Sequence, residues 1–262
     1  MNPSNRFSLT LHTLAKLAAA NNRIQPSPLP ALPALNSVLT EFAPLPGTAL
    51  FLGLATDGLP ILLNLLDPLP GPIMIVGDQG SGKTNFLRTI TSSIDRIHSS
   101  NDVGFSIIAR DLSEWKAYEH SGKCANLLSP GDPNVVSVLH SLVTWAHLNK
   151  GADQISLLLI DHLETLLEIP ETQPDLRWLL LRGPARRVWP IVTIDSSLAV
   201  SNRFQPWLEA FHTRLFGYIH NDVEVQTLTG MANISLPYLM SGFQFVMREG
   251  NDWVPFWIPK LD

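Results

Sequence analysis

The run Gly77-Asp78-Gln79-Gly80-Ser81-Gly82-Lys83-Thr84 limits what this chain can fold into more than any other stretch. It fits G-x-x-x-x-G-K-[ST] at every position. The apolar run GPIMIVG precedes it, and a helical pattern from Lys83 to about Arg96 follows. Glycines at these positions let backbone N–H groups converge on phosphate oxygens, which a Cβ would obstruct. The positive end of the following helix falls on the same point. Lys83 is placed to pair with the β and γ phosphates, and the Thr84 hydroxyl to complete the shell of a Mg²⁺ ion. Asn85, directly after the loop, is counted with Gly77 to Thr84 among the nucleotide contacts. A glycine-rich turn of no function would need neither the strand before nor the helix after. The expected ligands are ATP and Mg²⁺.

Such an ion needs a second anchor, usually an aspartate at the end of a neighbouring strand. The sequence LLLID delivers Asp161 after four apolar residues, and Thr84 with Asp161 forms the candidate metal pair. The competing reading, Asp161 as a simple helix cap, does not account for the apolar strand before it. Hydrolysis also calls for a carboxylate that orients and polarises water, and in many such enzymes it follows the aspartate directly. Here that position is His162. An imidazole can accept a proton, but it has another reach and no fixed negative charge. Glu164 lies two residues further on. With a helix starting at Asp161 it would face another direction, so it reads as a solvated helix residue. Two outcomes stay open, a working ATPase and a chain that only holds nucleotide.

Composition excludes several classes. The chain has 262 residues, 45% of them hydrophobic, enough for one large domain with a sizeable core or for a domain with an appendage. A charged fraction of 16% and a mean hydropathy of +0.12 argue against disorder. At net charge −5 there is no global basic field, so any contact with nucleic acid would be local. The single cysteine, Cys124, rules out an internal disulfide framework, fits a reducing cytoplasm and reads as a small buried side chain. No signal peptide is evident, and Pro26, Pro28, Pro30 and Pro33 break the uncharged stretch 24–40, so no integral membrane segment is expected. Among the eight histidines no pair has metal-ligand spacing.

The chain divides into 1–46 and 47–262. Leu11, Leu14, Leu17 and Ala18 predict a short amphipathic helix over 8–20. The six prolines between 26 and 46 predict an extended, stiffened connector. Beyond it, ALFLGLATDGLPILLNL predicts a hairpin around Thr56-Asp57-Gly58. Strands are expected at 71–77, 103–111, 154–161, 188–197, 212–219 and 243–249, and helices at 134–148 and 175–183. The alternation means an α/β fold, a mostly parallel sheet covered by helices on both faces. Trp253 and Trp257 read as part of a final strand packed on the core rather than a platform for bases. Arg177, Arg182, Arg186 and Arg187 make a local basic cluster. Either it contacts DNA phosphates or a neighbour's nucleotide, or it is an exposed face paired with Glu168, Glu171 and Asp175.

With these residues in place, 47–260 resembles the FtsK/HerA class of P-loop ATPases, specifically the FtsK/SpoIIIE-type motor domain. The resemblance is carried by the DG-x-P hairpin before the loop, LLLIDHLETLL, LLLRGPARRVWPIVTIDSS and FHTRLFGYIHNDVEVQTLTG. It implies a RecA-like core, an oligomeric ring with ATP between subunits, and movement of double-stranded DNA. It also implies kinship with the EccC/EssC ATPases of type VII secretion, which engage exported proteins and include domains that have lost catalytic residues. By position, Arg214 would be the in-trans arginine that contacts a neighbour's γ-phosphate, and Asp195 would occupy the polar sensor position. The class has Asp-Glu where this chain has Asp161-His162, and commonly glutamine where it has Asp195. An aspartate beside a γ-phosphate is repelled unless protonated or bound to Mg²⁺. Both departures weaken the case for fast turnover.

Overall fold

In the computed structural model, residues 32–149, 153–231, 234, 236–249 and 252–262 are described. The elements are α1 (Leu35–Glu41), β1 (Ala49–Ala55), β2 (Pro60–Asn64), β3 (Ile73–Gly77), α2 (Lys83–Ile97), β4 (Val103–Ala109), β5 (Cys124–Leu128) and α3 (Asn134–Leu148). There follow β6 (Ile155–Asp161), α4 (Leu163–Leu167), α5 (Gln173–Arg182), β7 (Val188–Asp195), α6 (Ser196–Ala199), α7 (Gln205–Leu208), β8 (Thr213–Phe216), α8 (Asp222–Thr229), β9 (Gln244–Glu249) and β10 (Asp252–Trp257). Ten strands form one sheet in the order β2-β1-β10-β9-β8-β3-β7-β6-β4-β5. From β8 to β5 every pairing is parallel, and from β2 to β8 every pairing is antiparallel. This is the expected α/β architecture, a RecA-like P-loop core extended on one side by hairpins.

The parallel strands are apolar runs because both their faces are covered. Alternate residues feed two cores: Met74, Val76, Leu158, Ile160, Val192 and Ile194 on one face, Ile73, Ile75, Leu157, Leu159, Trp189 and Ile191 on the other. The second face is closed by Phe86, Leu87, Ile90 and Ile94 of α2, the first by Leu139 of α3 and Leu179 of α5. The most buried strand, β3, thereby fixes its C-terminal end, where the glycine-rich loop begins.

The predicted helix over 8–20 lies outside the described residues. Within the predicted connector the structure differs: Leu35–Glu41 is a helix, not extended chain. The prolines flank this segment and leave its interior free of them. Leu35, Val38 and Leu39 are buried against Phe51 of β1. At roughly 2 kcal/mol for each aliphatic side chain, that burial offsets the unfavourable nucleation of so short a helix. Also unpredicted were β5 and the 3-10 turn Leu112–Tyr118, which buries Trp115. The final strand around Trp253 and Trp257 is present as β10. Cys124 is half-buried on β5, and burial pushes its thiol up to about 11. Among the described residues no helix is long and apolar enough to cross a membrane.

Candidate nucleotide-binding site

Parallel pairing brings three chain segments to one edge of the sheet. Gly77 at the end of β3 lies in register with Asp195 at the end of β7, and Asp161 ends β6 on the far side of β7. The crevice beyond such strand ends is where open α/β sheets bind ligands. Gly80 and Gly82 take positive φ, 78° and 94°, and Gly82 is the N-cap of α2. A Cβ on Gly82 would also lie 2.5 Å from the Gly242 carbonyl oxygen, and one on Gly77 2.5 Å from the Ser81 hydroxyl. The loop is clamped from the C-terminal side of the chain. Gly242 N–H donates to the Ser81 carbonyl at 3.0 Å, and the Ser241 hydroxyl to the Gly80 carbonyl at 2.8 Å. The Asp78 carboxylate accepts from the Ser196 hydroxyl and from His220 N–H.

Lys83 is 5% exposed. Its ammonium donates to the Gly77 and Asp78 carbonyls at 2.9 and 2.8 Å, and to the Asp195 carboxylate at 2.6 Å. The predicted sensor residue is thus an ion-pair partner of the loop lysine. The Thr84 hydroxyl meets both oxygens of Asp161, at 3.1 and 3.0 Å, and Asp161 is 4% exposed. A hydroxyl and a carboxylate converging from two elements are the hard oxygen donors that Mg²⁺ takes, and this pair fits that ion. Thr193 was not anticipated. Its hydroxyl donates to Asp161 at 2.6 Å and accepts from His162 N–H at 2.8 Å. The signal was one polar residue inside the apolar run VWPIVTID.

The greatest departure from expectation is at His162 and Glu164. The helix begins at Leu163, and His162 stands before it in the left-handed region with φ 70°. That conformation costs a non-glycine residue roughly 1–2 kcal/mol, offset here in part by the bond to Thr193. The turn brings Glu164 alongside the imidazole, with Nδ1 and Oε1 2.9 Å apart. Glu164 is therefore not the solvated helix residue the spacing implied. Its Oε2 is buried without a hydrogen-bond partner among the described residues. The Glu164 contact raises the His162 pKa above its ordinary value; burial opposes, and the charges of Asp161, Glu164 and Asp195 add to the rise. His162, Glu164 and Asp195 each offer one atom within 4.8 Å of the others. With the Lys83 ammonium already on Asp195, a further cation there would be repelled.

Arg214 lies on β8 in register with Met74, well inside the strand pair and away from the loop at Gly77. Its guanidinium donates to the Phe211 and Leu208 carbonyls, and burial lowers its pKa. The basic cluster is spread out. Arg187 donates to the Leu66 carbonyl, beside the opposite, N-terminal end of β7, and Arg177 sits over the Trp207 ring at 5.9 Å. Of the acids expected to face the cluster, Glu168 pairs with Arg203 and Asp175 with His140.

The sequence matches no family model and no curated protein. The fold does have solved counterparts, and they are P-loop ATPases of the FtsK/HerA kind. ATPases 2 and 3 of EccC from Thermomonospora curvata, in complex with a signal sequence peptide, superpose with a TM-score of 0.70 at 15% identity, over 90% of this chain and 44% of that one. The pCW3 conjugation coupling protein TcpA with ATPγS gives 0.66 at 13% identity, over 89% and 71%. The genome packaging NTPase B204 of Sulfolobus turreted icosahedral virus 2, in complex with AMP, gives 0.52 at 12% identity, over 74% and 100%. The chain spans less than half the length of the secretion ATPase it matches.

Proposed function

We propose that the chain is an ATP-driven motor subunit of the FtsK/HerA kind that acts on double-stranded DNA from the cytoplasm. The observation that carries the nucleotide reading is the Thr84–Asp161 contact beside Lys83, with phosphate loop and acidic anchor meeting at 3.0 and 3.1 Å. In this reading Gly77 to Asn85 wrap the phosphates and Lys83 exchanges Asp195 for phosphate oxygens. Thr84 and Asp161 would hold Mg²⁺, which supplies charge neutralisation on the triphosphate when bound. Arg214 would have to trade its two carbonyls for a neighbouring subunit's phosphate in an assembled ring.

Genome packaging and conjugation coupling in the names of two fold relatives support a polymer-moving role, and the exposed Arg177 and Arg182 offer local phosphate contacts. The test is ATPase rate with and without duplex DNA at low salt, alongside Lys83→Ala. We expect DNA to raise turnover and the variant to abolish it; a DNA-independent rate without DNA binding refutes the DNA substrate. A second reading, a subunit that holds ATP without spending it, is favoured by His162 in the position of a catalytic glutamate. It predicts nucleotide-dependent assembly with negligible turnover. Stimulation by a partner peptide in place of DNA would point instead to protein export.

A further inference from the structure

We propose that Glu164 supplies the carboxylate missing from the position after Asp161, reaching across the left-handed turn at His162 to take the attacking water. This rests on the ATPase reading above. Three observations carry it. The φ of 70° at His162 turns the chain so that residue 164 comes to lie beside residue 162. The imidazole holds one oxygen of Glu164 at 2.9 Å and leaves the other, Oε2, buried with no partner among the described residues. Finally, the pair lies within 4.8 Å of Asp195, whose carboxylate is itself 2.6 Å from the Lys83 ammonium. The Glu164 carboxylate therefore lies near the residue that pairs with the loop lysine.

The His162 contact satisfies Oε1 but not Oε2. A carboxylate oxygen left buried and unpaired is unfavourable for folding, and such an orphaned group is of the kind expected where it is reserved for a ligand. A cleft opens beside Glu164, bounded by Ile194, Leu198, Arg203 and Phe204.

In the step itself, the water oxygen bonds to the γ-phosphorus while the bond to the β–γ bridging oxygen breaks. The electron pair of that bond leaves with ADP, and the proton of the water passes to Oε2 and from there to solvent. His162 is a positioning residue that fixes Oε1.

The experiment uses the full chain and its Glu164→Gln and Glu164→Asp variants. It measures steady-state ATPase kcat, equilibrium affinity for ATPγS, and thermal midpoint. We expect Glu164→Gln to lower kcat about a hundredfold or more with ATPγS affinity within threefold of the parent. Glu164→Asp keeps the charge one methylene short and serves if the glutamine variant fails to fold; its kcat falls about tenfold at unchanged affinity. A kcat within threefold of the parent in the substituted chain overturns the proposal. So does a matched loss of kcat and affinity, which marks a merely structural residue. A parent that binds ATPγS but turns over no ATP instead removes the motor reading on which the proposal rests.

Discussion

Asp195 stands at the strand end beside Gly77 and holds the ammonium that a triphosphate would need. On the proposed reading the chain carries its own competitor for ATP, and nucleotide affinity would be the difference between two ion pairs. Asp195→Asn removes the competitor and a negative charge. We expect it to tighten ATPγS binding about tenfold, as one partly buried ion pair of about 1–2 kcal/mol would dictate, read by equilibrium titration. A weaker affinity would mean that Asp195 helps to hold nucleotide rather than to exclude it. At this scale the sequence was informative wherever a residue type has one dominant use. Lys83, Thr84 and Asp161 stand together as their spacing implied. Glu164 was misread because a left-handed turn at a histidine has no signature in composition or periodicity. Thr193 was missed although its polarity within an apolar strand marked it.

Among the elements, α1 best measures what patterning leaves out. Six prolines dominated the reading of 24–46, yet seven residues between them fold onto β1 through Leu35, Val38 and Leu39. Leu35 is completely buried. We expect Leu35→Ala to lower unfolding free energy by about 2–4 kcal/mol, measured by urea denaturation. A change under about 1 kcal/mol would mean that the helix is only loosely attached. Long apolar strands and the 15-residue helices were legible because periodicity accumulates over many residues. Short pieces such as β5 and α4 carry too few residues for a pattern, and tertiary contacts alone decide them. The same holds for the clamp on the phosphate loop. Gly82 and Gly242 touch through backbone, and neither glycine's spacing announces the other.

Across the whole molecule, the stretch from Gly242 to Asp262 meets α2 near both of its ends. Gly242, just before β9, contacts the loop at the N-terminal end of α2, and Phe245 and Phe256 pack on Phe86. Beyond β10, the Asp262 carboxylate pairs with Arg96 near the other end of α2 and accepts from Asn36 N–H of α1. The residues that would touch phosphate within one subunit, Gly77 to Asp195, emerge from the ribosome before residues 239–262, which hold their loop in shape. A nascent chain should therefore be unable to take up ATP until residues 239–262 have emerged. A chain ending at residue 238 should not bind ATPγS, and adding a peptide of residues 239–262 should restore binding. If the shortened chain binds by itself, the loop is shaped without its clamp.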